Sequence, residues 1–422
     1  MNVKPDWSEE EVGRSLKLVT GYPFPSEGFS NTDGFPLIRI RDIADSKIET
    51  YFQGHFLPTF IIRKGDVLIG MDGDFNIVRW DNEEALLNQR VLKVDVFDSA
   101  KMDLSFIYYW LQPYVKKVND VTAATTVKHL STKDLLIAKG RIPEKKVQQK
   151  IGVILKTVDQ AIKKTEALIQ KYQQIKAGLM HDLFTRGVTA DGKLRPPREQ
   201  APELYQETSI GWVPKDWTCS QIKPYVRSAQ YGVSTSLEDV EVGIPVLRMN
   251  NIQSNMFDVS VLKYTKDLEA YKIILKKGDV LYNRTNSMEH VGKTAIWRNE
   301  IPECSFASYL VRMNLREEMI LPDFFSHWMS QISSQNALRR YATPAVQQVN
   351  INPTNLQKVF ISCPTELEEQ RRIATIIDAA DFKLLAEKNV LGKLQKQKQG
   401  LMQDLLTGKV RVKLDQPETT NV

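Results

Sequence analysis

Cysteine is scarce in this chain: Cys219, Cys304 and Cys363 are its only three, far apart and with no CxxC pair. An odd, scattered set supports neither a disulfide framework nor a zinc knuckle, so they read as reduced thiols. Histidine is nearly as rare, and His55, His129, His181, His290 and His327 include no i, i+4 pair of the kind that grips a metal on one helix face. No metal and no cofactor are expected. Long apolar runs are missing as well. The run at 151–155 is far too short to cross a bilayer, and the N-terminus has no apolar signal core. The expectation is a soluble, cytoplasmic protein with no membrane partner.

What is present is ordinary globular material, 42% hydrophobic and 26% charged, in a chain of 422 residues. That length favours two to four folded units over one core. A formal charge of +6 and a pI near 8.9 permit an anionic partner without demanding one.

The organising fact is an internal repeat. Pro5-Asp6-Trp7 returns as Lys215-Asp216-Trp217, and Phe35-Pro36-Leu37-Ile38-Arg39 as Ile244-Pro245-Val246-Leu247-Arg248. Lys64-Gly65-Asp66-Val67-Leu68 returns as Lys277-Gly278-Asp279-Val280-Leu281, and the aromatic run from Phe106 to Leu111 as the run from Phe324 to Met329. Gly178-Leu179-Met180-His181-Asp182-Leu183 matches Gly400-Leu401-Met402-Gln403-Asp404-Leu405 at an offset of 222 positions (400 − 178). The order is kept throughout. Up to about residue 100, short Val/Ile/Leu/Phe runs punctuated by Gly, Asp and Pro predict strands, so each half opens as an α+β globular domain.

From Gln148 to about Phe184 the texture changes to proline-free Lys, Gln, Ala and Leu. Leu155, Val158, Ile162, Ile169, Tyr172, Leu179 and Leu183 fall on a three-four spacing, with Thr165 and Lys176 as polar interruptions. Ile377, Ala380, Leu384, Leu391, Leu394, Leu401 and Leu405 repeat this seam at the same offset, interrupted by Glu387 and Lys398. Two copies of one amphipathic helix are predicted, each of roughly 34 residues and ~50 Å long. Such a rod needs a partner along its length, and mutual antiparallel coiled-coil packing supplies it better than an ordinary core position. Residues 187–210, with Arg195-Pro196-Pro197-Arg198 and Pro202, cannot continue a helix and read as a linker.

These pieces together resemble the Type I restriction-modification specificity subunits. The resemblance rests on the stretch from Thr189 to Arg195 followed by Ser209-Ile210-Gly211-Trp212-Val213-Pro214, and on the helix opening Pro364-Thr365-Glu366-Leu367-Glu368-Glu369-Gln370. The segments around Gly65-Asp66-Val67-Leu68-Ile69-Gly70 and Gly278-Asp279-Val280-Leu281-Tyr282-Asn283 are similar to parts of that family's recognition domains. The first helix opens differently, with Pro143-Glu144-Lys145-Lys146-Val147-Gln148 in place of the acidic pattern. The resemblance implies two target-recognition domains, 1–142 and 211–362, alternating with helical regions 143–186 and 363–422. It also implies a split, asymmetric double-stranded DNA target, two methyltransferase subunits and restriction/translocase subunits as partners, and no catalysis in this chain. Two alternatives remain open: a coiled-coil scaffold that organises an enzyme complex without reading DNA, and the recognition subunit of a related fused nuclease-methyltransferase system.

Motifs for catalysis are missing. Ile351-Asn352-Pro353-Thr354 lacks the second proline and the aromatic of an adenine-methyltransferase turn, and reads as a turn or helix start. Val291-Gly292-Lys293-Thr294 imitates the tail of a phosphate-binding loop, but Ser287 stands where the leading glycine belongs. A DNA-reading domain needs cations for phosphate and forked or amide side chains for base edges. In the first domain the candidates are Asn76 with Arg79, and Lys128 beside Thr125 and Thr126. In the second they are Asn283, Arg284, Asn286 and Ser287 with Lys293, and Gln347, Gln348 and Asn350. Arg284 is the chief candidate, whereas Arg39 and Arg248 follow strand-like runs and read as structural. Purified alone, the chain is expected neither to methylate nor to cleave DNA and not to hydrolyse ATP; methyl transfer above a mock preparation would overturn this.

Overall fold

The computed structural model describes residues 7–43, 47–122, 128–253 and 255–414. Pro5-Asp6 of the repeat and Thr125 and Thr126 of the candidate loop lie outside the described residues. The chain divides into two compact units, Met1–Glu166 with Asn389–Val422, and Ala167–Lys388. It is an α+β fold: two globular domains built alike, alternating with two long helices that pair antiparallel.

In the first unit Trp7–Glu10 pairs antiparallel with Gly140–Pro143, so the domain closes its ends on each other just before the long helix begins. Its main sheet runs Leu16–Thr20, Val91–Val96, Val67–Gly70, Ile77–Arg79, with every neighbour antiparallel. Successive side chains of a strand face opposite ways. Val67 and Ile69 therefore enter the core under the helix Leu104–Val121, while Leu68 enters a second core on the other face. This is why Val67–Gly70 is apolar at every position: it is buried on both sides.

The second unit repeats the plan. Trp217–Gln221 pairs with Phe360–Pro364, and the main sheet runs Val226–Tyr231, Leu310–Leu315, Val280–Asn283, Thr294–Ile296. Val280 and Tyr282 face one core and Leu281 the other. A second sheet in each unit carries one parallel pairing, Phe35–Ile38 with Ala85–Leu87 and Ile244–Leu247 with Ser305–Phe306. Gly21 and Gly232 mark the same close crossing, where an added Cβ would lie 1.9 Å from the Asn88 carbonyl oxygen and 2.3 Å from that of Phe306. The aromatic run is helical in both units, but the first helix continues through Pro113 whereas the second breaks at Gln331 into Pro322–Ser330 and Ile332–Arg339.

The long helices are Lys145–Arg186, 42 residues, and Leu367–Leu405, 39 residues. They exceed the predicted span and measure about 63 and 58 Å. Gly187, at φ 66°, adopts the left-handed conformation that ends the first. Every seam residue is buried or half-buried, and so are Thr165, Lys176, Glu387 and Lys398 at the interruptions. In the second unit Lys176 pairs with Asp381, and the Lys383 ammonium lies 4.7 Å over the Tyr172 ring. Numbers rise along one helix as they fall along the other, which is antiparallel packing. In the first unit Lys398 pairs with Asp159 at 2.7 Å. These two ion pairs are repeat equivalents, since Lys398 follows Lys176 and Asp381 follows Asp159 by the same 222 positions (398 − 176, 381 − 159).

The helix ends are also core elements of the domains. Ile151 and Leu155 share the first domain's core with Leu405 and Leu406, while Leu183 and Phe184 share the second's with Ile373 and Ile377. A buried glutamine fastens each helix start. Gln148 donates to the carbonyls of Lys101 and Pro143 and accepts from Asp103 N; Gln370 donates to those of Met319 and Pro364 and accepts from Leu321 N.

The stretch 187–210, expected as a linker, is anchored inside the second unit. Arg195, 8% exposed, meets Glu369 through both terminal nitrogens and also Asp216, while Glu369 further accepts from Val188 N and Trp217 Nε1. Tyr205–Thr208 then forms a hairpin with Gly211–Pro214. Glu369→Ala leaves a buried guanidinium with the Arg186 carbonyl and the more exposed Asp216, and is expected to cost about 3 kcal/mol, read as a lower urea midpoint. Replacing both Arg195 and Glu369 by Met should recover most of that loss; equal midpoints for Glu369→Ala and the unaltered chain would refute the account.

Candidate nucleic-acid interface

In the second domain the backbone gathers the two predicted loops into one small sheet. Strand Val280–Asn283 leads through Arg284 into Thr285–Asn286, which pairs with Gln348–Asn350 in the register Thr285 to Asn350 and Asn286 to Val349. Gln348–Asn350 pairs in turn with Thr343–Ala345 across a two-residue turn. At that turn Val346 is 93% exposed and Gln347 takes a left-handed φ of 59°. Asn286, Gln348 and Asn350 are half-buried, and Ser287 is exposed in the next turn. Asn350 Nδ2 donates to Thr285 Oγ1 at 2.8 Å.

Arg284 sits at the centre of this rim. Its backbone N–H donates to the Tyr309 carbonyl at 2.9 Å, and its own carbonyl accepts from Ile351 N at 2.8 Å. The side chain is held by Nε donating to the Ser308 carbonyl at 2.8 Å and by the guanidinium lying 5.1 Å from the centroid of the Tyr231 ring. The Nη nitrogens have no hydrogen-bond partner among the described residues. A planar fork, fixed at its base and free at its tip, is what bidentate recognition of a base edge requires. Tyr231, 47% exposed, flanks it, and Tyr309, 46% exposed, meets its backbone. Neither tyrosine is singled out by the sequence, because their place beside Arg284 depends on strands far apart in the chain.

Asn283 must be withdrawn from the reading set. It is 0% exposed, its Oδ1 accepts from Thr285 N, and it serves the turn from inside. Lys293 is half-buried and borders a separate cleft of about 420 Å³ with Gln253, Glu289 and Arg339. Thr294, which follows it, opens a strand, Thr294–Ile296, so the imitation of a phosphate loop leads into a sheet and not into a helix. Asn352 caps the short helix Pro353–Leu356 by accepting from Asn355 N, as the turn reading expects. Arg39 and Arg248 occupy equivalent turns, donating backbone N–H groups to Asp42 and Asn251.

In the first domain Asn76 is exposed beside a polar cleft of about 500 Å³ that also includes Lys116, Asn119 and Lys398. Lys128 is turned inward: its ammonium donates to the backbone and side-chain oxygens of Asn119, in the last turn of Leu104–Val121. Arg79 lies with its guanidinium 5.2 Å from the Tyr108 ring centroid, against that same helix. Lys128 is thus occupied by internal hydrogen bonds, a correction to its sequence-based reading as a free phosphate contact, whereas Arg79 Nε has no hydrogen-bond partner among the described residues. The adjacent Tyr109 donates to Asp159 at 2.7 Å; burial first, and then Asp159, raises its phenol far above the ordinary range, so it remains a donor. In the second domain His327 takes the corresponding part, bonded to Asp378 at 2.8 Å.

Among the described residues no group of His, Cys, Asp and Glu could hold a metal ion, and no helix is long and apolar enough to cross a membrane. Burial pushes the Cys304 thiol up to about 12, which keeps it inert.

Two segments, residues 6–176 and 215–395, match the family described as Type I restriction modification DNA specificity domain. The chain belongs to that family. Each match takes in one globular domain and most of the long helix after it, so this specificity protein carries the family's domain twice. It is 27% identical to the Type I restriction enzyme EcoBI specificity subunit of Escherichia coli, over 97% of this chain and 87% of that one. With the MjaVIII specificity subunit of Methanocaldococcus jannaschii it shares 22% identity, covering 98% and 95%. The fold is that of a solved Type I restriction-modification S subunit from M. genitalium, with a TM-score of 0.63, 13% identity and coverage of 96% and 97%.

Arg284→Ala in the specificity protein is expected to cost about 1–3 kcal/mol of discrimination and to relax one position of the recognised sequence. A uniform loss on all DNA sequences, with the salt slope reduced by about one, would instead mark Arg284 as a phosphate contact.

Proposed function

We propose that this specificity protein reads a split, asymmetric DNA target, one half with residues 1–142 and the other with residues 211–362. The single observation behind this reading is that both domains share one backbone plan yet carry unlike side chains at the equivalent rim: Arg284 and Asn350 in one, Met71 and His129 in the other. Two readers of like frame and unlike surface suit two different half-sites. The paired helices act as the spacer between those half-sites, at ~3.4 Å of helix length per base pair.

Adenine methylation and ATP-dependent cleavage belong, on this reading, to partner subunits that the chain positions on DNA in the cytoplasm. It has two methyltransferase partners, one for each repeat, and joins restriction/translocase subunits in the full complex. Exposed apolar side chains off the helix seam, Phe382 and Leu385 in the second unit, suit contact with such partners.

Exchanging residues 211–362 for the corresponding domain of a subunit with another target tests the reading. The methylated sequence in a host expressing the chimera with its methyltransferase subunits should change in one half only, leaving the other half and the spacer intact. A change in both halves together would refute the two-reader arrangement.

A further inference from the structure

Asp72, Arg90 and His129 meet at the rim of the first domain, and no motif in the sequence points to them as a group. Their backbone setting is that of the Arg284 rim. Met71 N donates to the Arg90 carbonyl at 2.8 Å and Leu130 N to the Met71 carbonyl at 2.7 Å; Arg284 N donates to Tyr309 and Ile351 N to Arg284 in the same pattern. Asp72 bridges His129 antiparallel, as Thr285 pairs with Asn350. Position for position, Asp72 stands for Thr285, His129 for Asn350, Arg90 for Tyr309 and Met71 for Arg284.

Met71 is buried at 8% exposure, so nothing at the Arg284 position reaches outward in this domain. The arginine comes from the facing segment. Arg90 holds a left-handed φ of 72°, a conformation costly for a residue with a Cβ and concentrated at binding sites. Its side chain is 56% exposed and that of His129 45%, with Asp72 between them at 25%.

The chemistry of the trio is specific. Asp72 Oδ1 lies 2.7 Å from His129 Nδ1, Oδ2 lies 3.7 Å from Arg90 Nε, and Arg90 Nη1 lies 3.4 Å from the same His129 Nδ1. In the tautomer that gives the Nδ1 proton to Asp72, Nε2 is the ring's acceptor. Nε2 has no partner among the described residues. Against the other side of the ring, at Nδ1, stands the Arg90 guanidinium, whose Nη2 has no partner among the described residues. A fork suits the O6 and N7 acceptors of guanine, and a ring acceptor suits the exocyclic amine of cytosine or adenine. Half-exposed charges of this kind add little to stability, so fold maintenance is a poor explanation for the cluster.

The geometry points to Arg90 and His129 as base-reading residues for the first half-site, with Asp72 as the positioning residue that aims both. This rests on the two-reader arrangement proposed above. It is tested by sequencing the methylated sites in hosts that express the full chain and its methyltransferase subunits. Arg90→Ala and His129→Ala are each expected to lose about tenfold or more of the discrimination at one position of the first half-site. The second half-site and the spacer should stay unchanged. Arg90→Lys, which keeps the charge without the fork, should relax the same position while holding overall affinity. Asp72→Asn should relax the same positions with the melting temperature unmoved, an effect that a merely structural role would not produce.

An exchange of residues 1–142 serves as the parallel control. If the exchange rewrites the first half-site while the double variant Arg90→Ala, His129→Ala keeps the original motif, the trio is refuted and the two-reader arrangement stands. If the exchange leaves the first half-site untouched, that arrangement fails and the trio with it. Equal loss of affinity on every sequence would show phosphate contact and would likewise overturn base reading.

Discussion

A buried glutamine at the start of each long helix is the contact on which the rest of the molecule depends. Gln148 and Gln370 each satisfy two carbonyls and one N–H of the preceding domain, groups that burial would otherwise leave unpaired at about 1–3 kcal/mol apiece. An amide can do this because it donates and accepts at once. The bonds fix where the helix leaves the domain, and hence where its seam faces. Tyr109 on Asp159 and His327 on Asp378 add a second fastening one or more turns further along.

Along the seam, the polar interruptions set register. A lysine at a half-buried helix-facing position weakens packing unless an acid meets it, and Asp381 and Asp159 meet Lys176 and Lys398. Sliding either helix by one turn would bring a lysine opposite apolar residues and strand an aspartate. Register is thereby specified by the cost of every alternative, a use of buried polar groups well attested in coiled coils.

The fold was largely legible because it is written twice. A repeat with matching landmarks and a three-four seam is a periodic signal, and periodicity survives without any knowledge of tertiary contacts. Both helices start before their apolar stripe and the first also runs past it, since Lys145, Lys146 and Arg186 are helical without adding to it. The linker looked loose because proline and glycine advertise a break, while Arg195 reaching Glu369 is a contact across 174 positions that no local pattern announces. The same distance limit applied at the rim. Sequence could select polar loops, and it placed Arg284 and Asn350 well enough for the sheet Thr285–Asn286 with Gln348–Asn350 to join them. It could not tell that Asn283 points inward, that Lys128 turns to Asn119, or that Arg90 and His129 converge on Asp72.

One feature of the first core bears on how the chain reaches its native state. Leu405 and Leu406, at the end of the second long helix, complete a core whose other members, such as Val67 and Phe106, leave the ribosome hundreds of residues earlier. Until the second long helix has been made, the first domain waits with an apolar face uncovered. Closure across so much sequence is slow, and a chain released early would have a damaged first domain although every residue of that domain had been made. The last turns of the second long helix thus act as a late clasp: the first domain reaches its full stability only once the chain has been translated through Leu406.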